Sequence, residues 1–311
     1  MREIVLIDGG VGQEIFRKAG KPAHPLWSTK VMMEEPAIVK EVHQEFIEAG
    51  ARIITTNSYT CTPTRLERDG ERDWFEDLQI KSFDMADEAR ESLGYSSQDV
   101  QIAACIPPLI GSYTSDPRSF EELKAEYRQI VDIQASRADL FIIETISVIR
   151  EAQAAVEAAI EGKKPILLSF TLSDNEPHKL RSGESIEEAI DALKDYKLEG
   201  LLFNCSFPET ITKGLEDLKN SEILYGGYAN GFTTVEPLKP GGTVGELTAR
   251  KDLNTSKYAQ QVLAWVEQGA RIVGGCCEVG PAHIAELRDQ LIEKGYCITP
   301  LQKPKVLNNL E

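Results

Sequence analysis

The chain has 311 residues, 41% apolar and 27% charged, with 50 acidic against 34 basic side chains and a formal charge of −16. That balance repels phosphate backbones and anionic lipid, and no cluster of Lys and Arg offsets it locally, so nucleic acid is not an expected partner. No apolar run approaches the roughly 20 residues of a membrane span, and six cysteines in a chain this long are too sparse for a disulfide framework.

In chain order, short β-branched or apolar runs alternate with segments of helical periodicity. The first run, 4–8, meets an acid almost at once and is too short for the apolar stretch of a secretory signal, which makes a cytoplasmic location the expectation. After a long loop at 17–30 comes a helix at 34–49. Ile38, Val42 and Phe46 share one of its faces, Glu41 and Glu45 lie on another, and Gly50 closes it. Further strands are expected at 52–57, 101–106, 140–145, 165–172, 200–205, 223–230 and 271–276. The helices between and after them fall at 74–93, 119–137, 149–161, 184–195, 209–220, 256–268 and 281–294. EAGARIITTNS (48–58) and EQGARIVGGCC (267–277) write one helix–glycine–strand transition twice.

Near-continuous apolar strands, each followed by a helix, imply a parallel sheet buried on both faces. Eight such units predict an α/β protein with a closed (β/α)8 TIM barrel as a single domain over 1–300, and a carboxyl-terminal tail at 301–311. An open doubly wound sheet lacks support, because Asp8-Gly9-Gly10-Val11-Gly12 fails the G-x-G-x-x-G spacing. Loops at 17–30, 58–73, 107–118 and 231–255 are long enough to form the working face.

A barrel carries its chemistry at the carboxyl ends of its strands. Those ends hold Asp8, the stretch 55–58, Cys105, Glu144, Thr171, Asn204 with Cys205, Asn230, and Cys276 with Cys277. Three thiols from strands six and eight converge there. Zinc takes thiolate ligands tetrahedrally, and a catalytic site keeps its fourth position open, so Cys205, Cys276 and Cys277 match that count. Gly274 and Gly275 are expected to turn the backbone so that two successive cysteines face the centre. Asp8 and Glu144 suit an ammonium group or, alternatively, ion pairs with loop Arg or Lys, and Asn204 can hydrogen-bond a polar substrate. None of the four histidines (24, 43, 178 and 283) lies at a strand end, which weakens a Cys–His nucleophile. No lysine lies there either, which weakens a Schiff base.

Asp8-Gly9-Gly10, HPLWSTKVMMEEP (24–36), EAGARIITTNSY (48–59), IIETI (142–146), FNCS (203–206) and GGCC (274–277) together resemble the homocysteine S-methyltransferases, in the right order over nearly the whole chain. The resemblance implies a zinc-bearing barrel that moves a methyl group onto the sulfur of homocysteine, giving methionine. It implies Cys205, Cys276 and Cys277 as metal ligands and Asp8 and Glu144 as the acids that hold the homocysteine amino group. Trp27 matches an aromatic near the methyl donor, and Thr56, Asn57 and Asn204 sit in pocket-lining motifs. CIPPLIGSYTSD (105–116) and GGYANGFTTVEPLKPGG (226–242) depart from the family pattern beside the pocket. The donor therefore stays open among betaine, S-methylmethionine, dimethylsulfoniopropionate and S-adenosylmethionine.

A free thiol has a pKa near 8.5, and a metal removes that limit by deprotonating it. The thiolate is then expected to attack an onium methyl carbon in line, and the neutral leaving group needs no proton. An onium centre is attracted to aromatic faces by about 0.5–2 kcal/mol. Trp27, Tyr59, Tyr113, Tyr228 and Phe232 are candidates for that contact. Rival readings are a zinc hydrolase, a phosphate-cradling loop at 239–242, and a non-catalytic redox sensor or zinc-binding barrel. Oligomeric state is not legible.

Overall fold

Every expected strand forms, each within two residues of its expected ends: β1 (Glu3–Leu6), β2 (Ile53–Thr55), β3 (Gln101–Ile106), β4 (Leu140–Ile146), β5 (Ile166–Phe170), β6 (Gly200–Asn204), β7 (Leu224–Ala229) and β8 (Ile272–Gly275). The computed structural model describes residues 2–238, 240 and 242–302. All neighbouring strands pair in parallel, in the order β2-β3-β4-β5-β6-β7-β8-β1. The ring closes where Ile7 bridges Ile53. There Arg52 N–H donates to Leu6 O at 2.7 Å and Asp8 N–H to Ile53 O at 3.0 Å. The fold is thus a TIM barrel, and the dinucleotide-type open sheet does not occur.

The expected helices are α3 (Pro36–Ala49), α5 (Phe75–Ser92), α6 (Phe120–Gln134), α7 (Ile149–Glu161), α8 (Ile186–Leu193), α9 (Pro208–Gly214), α10 (Thr255–Glu267) and α11 (Pro281–Glu293). Local chemistry starts several of them. Ser119 with Glu122, and Ser185 with Glu188, form capping boxes at α6 and α8, and Asn254 caps α10. Three more helices were not expected: α1 (Val11–Ala19), α2 (Trp27–Glu34) and α4 (Pro63–Asp69). They run through or into the stretches 17–30 and 58–73, so those tops are helical walls rather than plain loops. Among the described residues no helix is long and apolar enough to cross a membrane.

Two apolar layers hold the barrel. The outer one packs helices on strands around Phe46, Tyr127, Phe141, Phe203 and Trp265. The inner one fills the barrel with Val5, Ile7, Ile142, Leu202, Ile272 and their neighbours. A short ninth strand, β9 (Cys297–Ile298), pairs with the start of β1, and Leu301 beyond it joins the inner cluster. Its N–H donates to Gln101 Oε1 at 2.8 Å, and Gln101 begins β3, so Leu301 plugs the amino-terminal end. The interior is closed there, which leaves the carboxyl-terminal rim for chemistry. Lys239 and Gly241 of the proposed phosphate-cradling segment lie outside the described residues.

Candidate active site

Cys205 follows β6 directly, and Cys276 and Cys277 follow β8. Strand β7 between them holds both groups in place, because Cys205 N–H donates to Tyr228 O at 3.2 Å and Cys276 N–H to Ala229 O at 2.9 Å. The three sulfurs lie within 4.8 Å of one another. In this structure Cys205 and Cys276 are joined at 2.13 Å, while Cys277 is a half-buried free thiol. Burial, reinforced by Glu278 and Glu144, pushes the Cys277 thiol up to about 12. The expected role of the glycines needs correction. Gly274 lies within β8 because a Cβ there would stand 2.7 Å from Asp8 O, whereas the turn after the cysteines falls on Glu278, at φ 65°.

Asp8 and Glu144 enter the same cavity, and neither pairs with Arg or Lys among the described residues. The ion-pair alternative raised by the sequence is not what forms. Thr55 clamps Asp8 twice, through its N–H to Oδ2 at 2.6 Å and its hydroxyl to Oδ1 at 3.2 Å. Glu144 accepts from the Cys105 thiol at 3.1 Å and from the Tyr228 hydroxyl at 3.4 Å. Burial raises the pKa of both acids, that of Asp8 well above the usual carboxylate range, with Glu144 adding to the rise. Two buried acids without a counter-charge make a receptor for a cation.

The cavity measures about 140 Å³ and opens to solvent. Trp27, Tyr59, Tyr113 and Tyr228 line it, and Trp27 meets Tyr59 edge to face at 6.5 Å. Asn57 also lines it and ties down the start of α2, accepting from Ser28 Oγ at 2.6 Å and donating to Ser28 O at 3.2 Å. Thr56 accepts from the Cys105 N–H at 3.0 Å. Phe232, a candidate either for the onium contact or for ordinary packing, is buried and does not line the cavity.

Asn204 also departs from expectation. It does not line the cavity, and both ends of its amide are bonded within the wall: Oδ1 accepts from Thr145 N–H and Ser169 Oγ, both at 2.9 Å, and Nδ2 donates to Thr145 Oγ1 at 2.9 Å. Asn204 therefore positions the end of β4, where Glu144 stands.

Trp27 (φ 46°), Tyr113 (φ 60°), Thr145 (φ 60°) and Cys205 (φ 49°) line the cavity with left-handed backbones. Each costs about 1–3 kcal/mol unless surrounding contacts hold it, and such residues collect at functional sites. Arg65 on α4 is a wall residue that the sequence reading missed; Thr55 lay in the strand-end stretch 55–58, but its role as the clamp on Asp8 was not foreseen.

A TIM barrel with three sulfurs and two unpaired acids around one rim cavity is a barrel enzyme with a thiol-lined site. Residues 5–291 match the homocysteine S-methyltransferase family model, and the chain belongs to that family. It is accordingly a methyltransferase. Homocysteine S-methyltransferase 2 of Arabidopsis thaliana is 29% identical to it over 93% of this chain and 93% of its own length. The homocysteine S-methyltransferase of Escherichia coli (strain K12) is also 29% identical, over 92% of this chain and 95% of its own. The metallated form of the homocysteine methyltransferase MmuM from Escherichia coli is similar in structure, with a TM-score of 0.76 at 26% identity, covering 92% of this chain and 96% of that one.

Proposed function

We propose that this site methylates the sulfur of homocysteine to give methionine, drawing the methyl group from a small onium donor and using zinc held by Cys205, Cys276 and Cys277. The observation that carries the reading is the gathering of those sulfurs within 4.8 Å beside two buried acids that have no cationic partner among the described residues. Three soft sulfur donors suit zinc and leave a tetrahedral ion one position for substrate, and the existence of a metallated form of the Escherichia coli relative supports the choice of a metal. With Cys205 and Cys276 reduced, the set supplies all three thiolates.

Zinc bound there would supply thiol activation, since a coordinating thiol loses its proton at neutral pH. The protein's own groups do the rest. Asp8, fixed by Thr55, and Glu144 receive the homocysteine ammonium, whose charge returns both acids to their ionised form. Trp27 and Tyr59 offer ring faces to the onium centre. Holding sulfur and methyl carbon collinear converts binding into rate, and the departing amine or thioether is neutral and takes no proton. The S–CH3 bond forms as the donor's N–CH3 or S–CH3 bond breaks, and the bonding pair leaves with the donor.

The test is methionine formation by reduced, zinc-loaded protein from homocysteine and each of four donors: betaine, S-methylmethionine, dimethylsulfoniopropionate and S-adenosylmethionine. Zinc-dependent turnover with at least one donor is expected. Equal turnover after chelation, or none with any donor, overturns the reading.

A further inference from the structure

Two arginines line the cavity, and their situations differ. Arg68 is satisfied: it grips Asp69 through Nε and Nη2 at 2.9 and 2.6 Å and reaches Ile110 O through Nη1 at 2.6 Å. Arg65 is 5% exposed and pairs with no carboxylate among the described residues. Its Nη2 donates to Pro108 O at 2.8 Å, its guanidinium lies 5.0 Å from the Tyr59 ring centroid, and its Nε has no acceptor. Glu151 acts on it through space; its Oε1 is taken by Leu109 N–H and the Tyr127 hydroxyl, and its Oε2 has no partner.

A buried guanidinium with no carboxylate in contact is costly, and one in a cavity wall can receive an anion that arrives. A second observation points the same way. The indole N–H of Trp27, whose ring meets Tyr59, is also buried without an acceptor. Trp27, Tyr59 and Arg65 thus form one continuous wall that carries two donors without acceptors. A carboxylate, which is acceptor-only and bidentate, complements such a set, whereas an ammonium, which has no acceptor, does not.

The wall is also held firmly. Thr62 caps α4, accepting from Arg65 N–H at 3.2 Å and donating to Leu109 O at 2.8 Å. Glu126 on α6 accepts from Thr64 N–H at 2.9 Å and from Arg118 at 2.5 Å. Arg65 therefore projects from a pinned helix, as a specificity group should.

Resting on the proposed methyl transfer, we infer that Arg65 is the specificity residue for the methyl donor, anchoring a carboxylate on that donor while the aromatic wall takes its onium centre. The acids and the sulfurs already account for the ammonium and thiol of homocysteine. The aromatic wall that would hold the onium group carries the unpaired cation on its own face. A zwitterionic onium carboxylate spans both features in one small molecule, and the site should discriminate against onium compounds that lack the acid.

The test compares Arg65→Gln and Arg65→Lys with wild type, in full-length zinc-loaded protein, using matched donors: dimethylsulfoniopropionate against trimethylsulfonium, and betaine against choline. For a carboxylated donor, Arg65→Gln is expected to raise KM roughly 10- to 100-fold, as for a lost charged hydrogen bond. Trimethylsulfonium or choline turnover, homocysteine KM and zinc content should stay within about twofold, well short of that loss. Arg65→Lys should recover part of the loss, because it keeps charge without the planar fork. Calorimetric binding of the carboxylated donor should weaken in parallel, independently of turnover. A rise in homocysteine KM with donor KM unchanged would assign Arg65 to the acceptor's carboxylate and overturn the inference. An equal loss with carboxylated and uncarboxylated donors would overturn it in favour of a packing role. Failure of wild type to make methionine from any donor removes the parent reading itself, whereas an active wild type with an unaltered donor KM in Arg65→Gln removes this inference alone.

Discussion

The Cys105 thiol on β3 donates to Glu144 Oε1 on β4 at 3.1 Å, so the acid that faces the cavity is held by a neutral group from the strand beside it. Tyr228 approaches the other oxygen at 3.4 Å from β7. Neither neighbour brings charge, and burial raises the acid's pKa. An ammonium ligand supplies what is missing. Glu144→Gln keeps the shape and the acceptor at Oε1 but removes the charge. It should raise homocysteine KM by roughly 10- to 100-fold, the worth of a charged hydrogen bond. Zinc content, measured by a colorimetric chelator, should not change. An unchanged homocysteine KM would remove Glu144 from the acceptor site.

Cys276→Ala deletes one of three sulfurs at a loop-proximal rim position, where the backbone is still anchored to Ala229. The barrel should fold, with unaltered circular dichroism, while bound zinc and methyl transfer both fall by more than about 100-fold. The joined state of Cys205 and Cys276 adds a second expectation. Protein oxidised with diamide should bind no zinc, since two of three ligands are then unable to act as thiolates, and dithiothreitol should restore binding. Full activity in zinc-free Cys276→Ala would contradict the metal assignment.

Asn204 should behave as a positioning residue. Two of its hydrogen bonds hold Thr145, which is left-handed directly after Glu144, and a third ties it to Ser169. Asn204→Ala leaves Thr145 N–H and Ser169 Oγ without that partner inside the barrel wall. The expected cost is about 2 to 4 kcal/mol in urea denaturation. If Asn204 bound substrate instead, the variant would keep wild-type stability and lose homocysteine affinity.

The strands were legible because both of their faces are buried. Runs such as QIAACI in β3 and LFIIETI in β4 carry no alternation and stand out from the amphipathic helices around them. The cysteine set was legible because strand ends fix where side chains go. The surroundings of Asn204 were not legible: the left-handed turn at Cys205 sends successive residues to different places, and no sequence period announces it. Helix α4 has a Thr62–Pro63 start signal but only seven residues, too few for a periodic stripe. The environment of Arg65 is set by Tyr59 and Pro108, from separate loops, so a charged residue in a short polar stretch gave no sign of burial.

His43 offers a test of stability that is independent of catalysis. It lies fully buried on α3, with both ring nitrogens lacking a hydrogen-bond partner among the described residues. Burial lowers its pKa from 6.5 to about 4. Between those values the unfolded chain holds a proton that the folded chain refuses, so this residue's contribution is fully present above pH 6.5 and is lost as pH falls toward 4. His43→Leu removes both the unpaired nitrogens and the titration. It should be more stable than wild type by about 1 kcal/mol at pH 7.5, where only the unsatisfied polar atoms matter. That advantage should widen by about 2 kcal/mol at pH 5, where protonation of the unfolded wild type adds to it. Paired urea titrations at the two pH values measure the widening directly. A constant difference between variant and wild type would mean that the imidazole is paired or hydrated in solution.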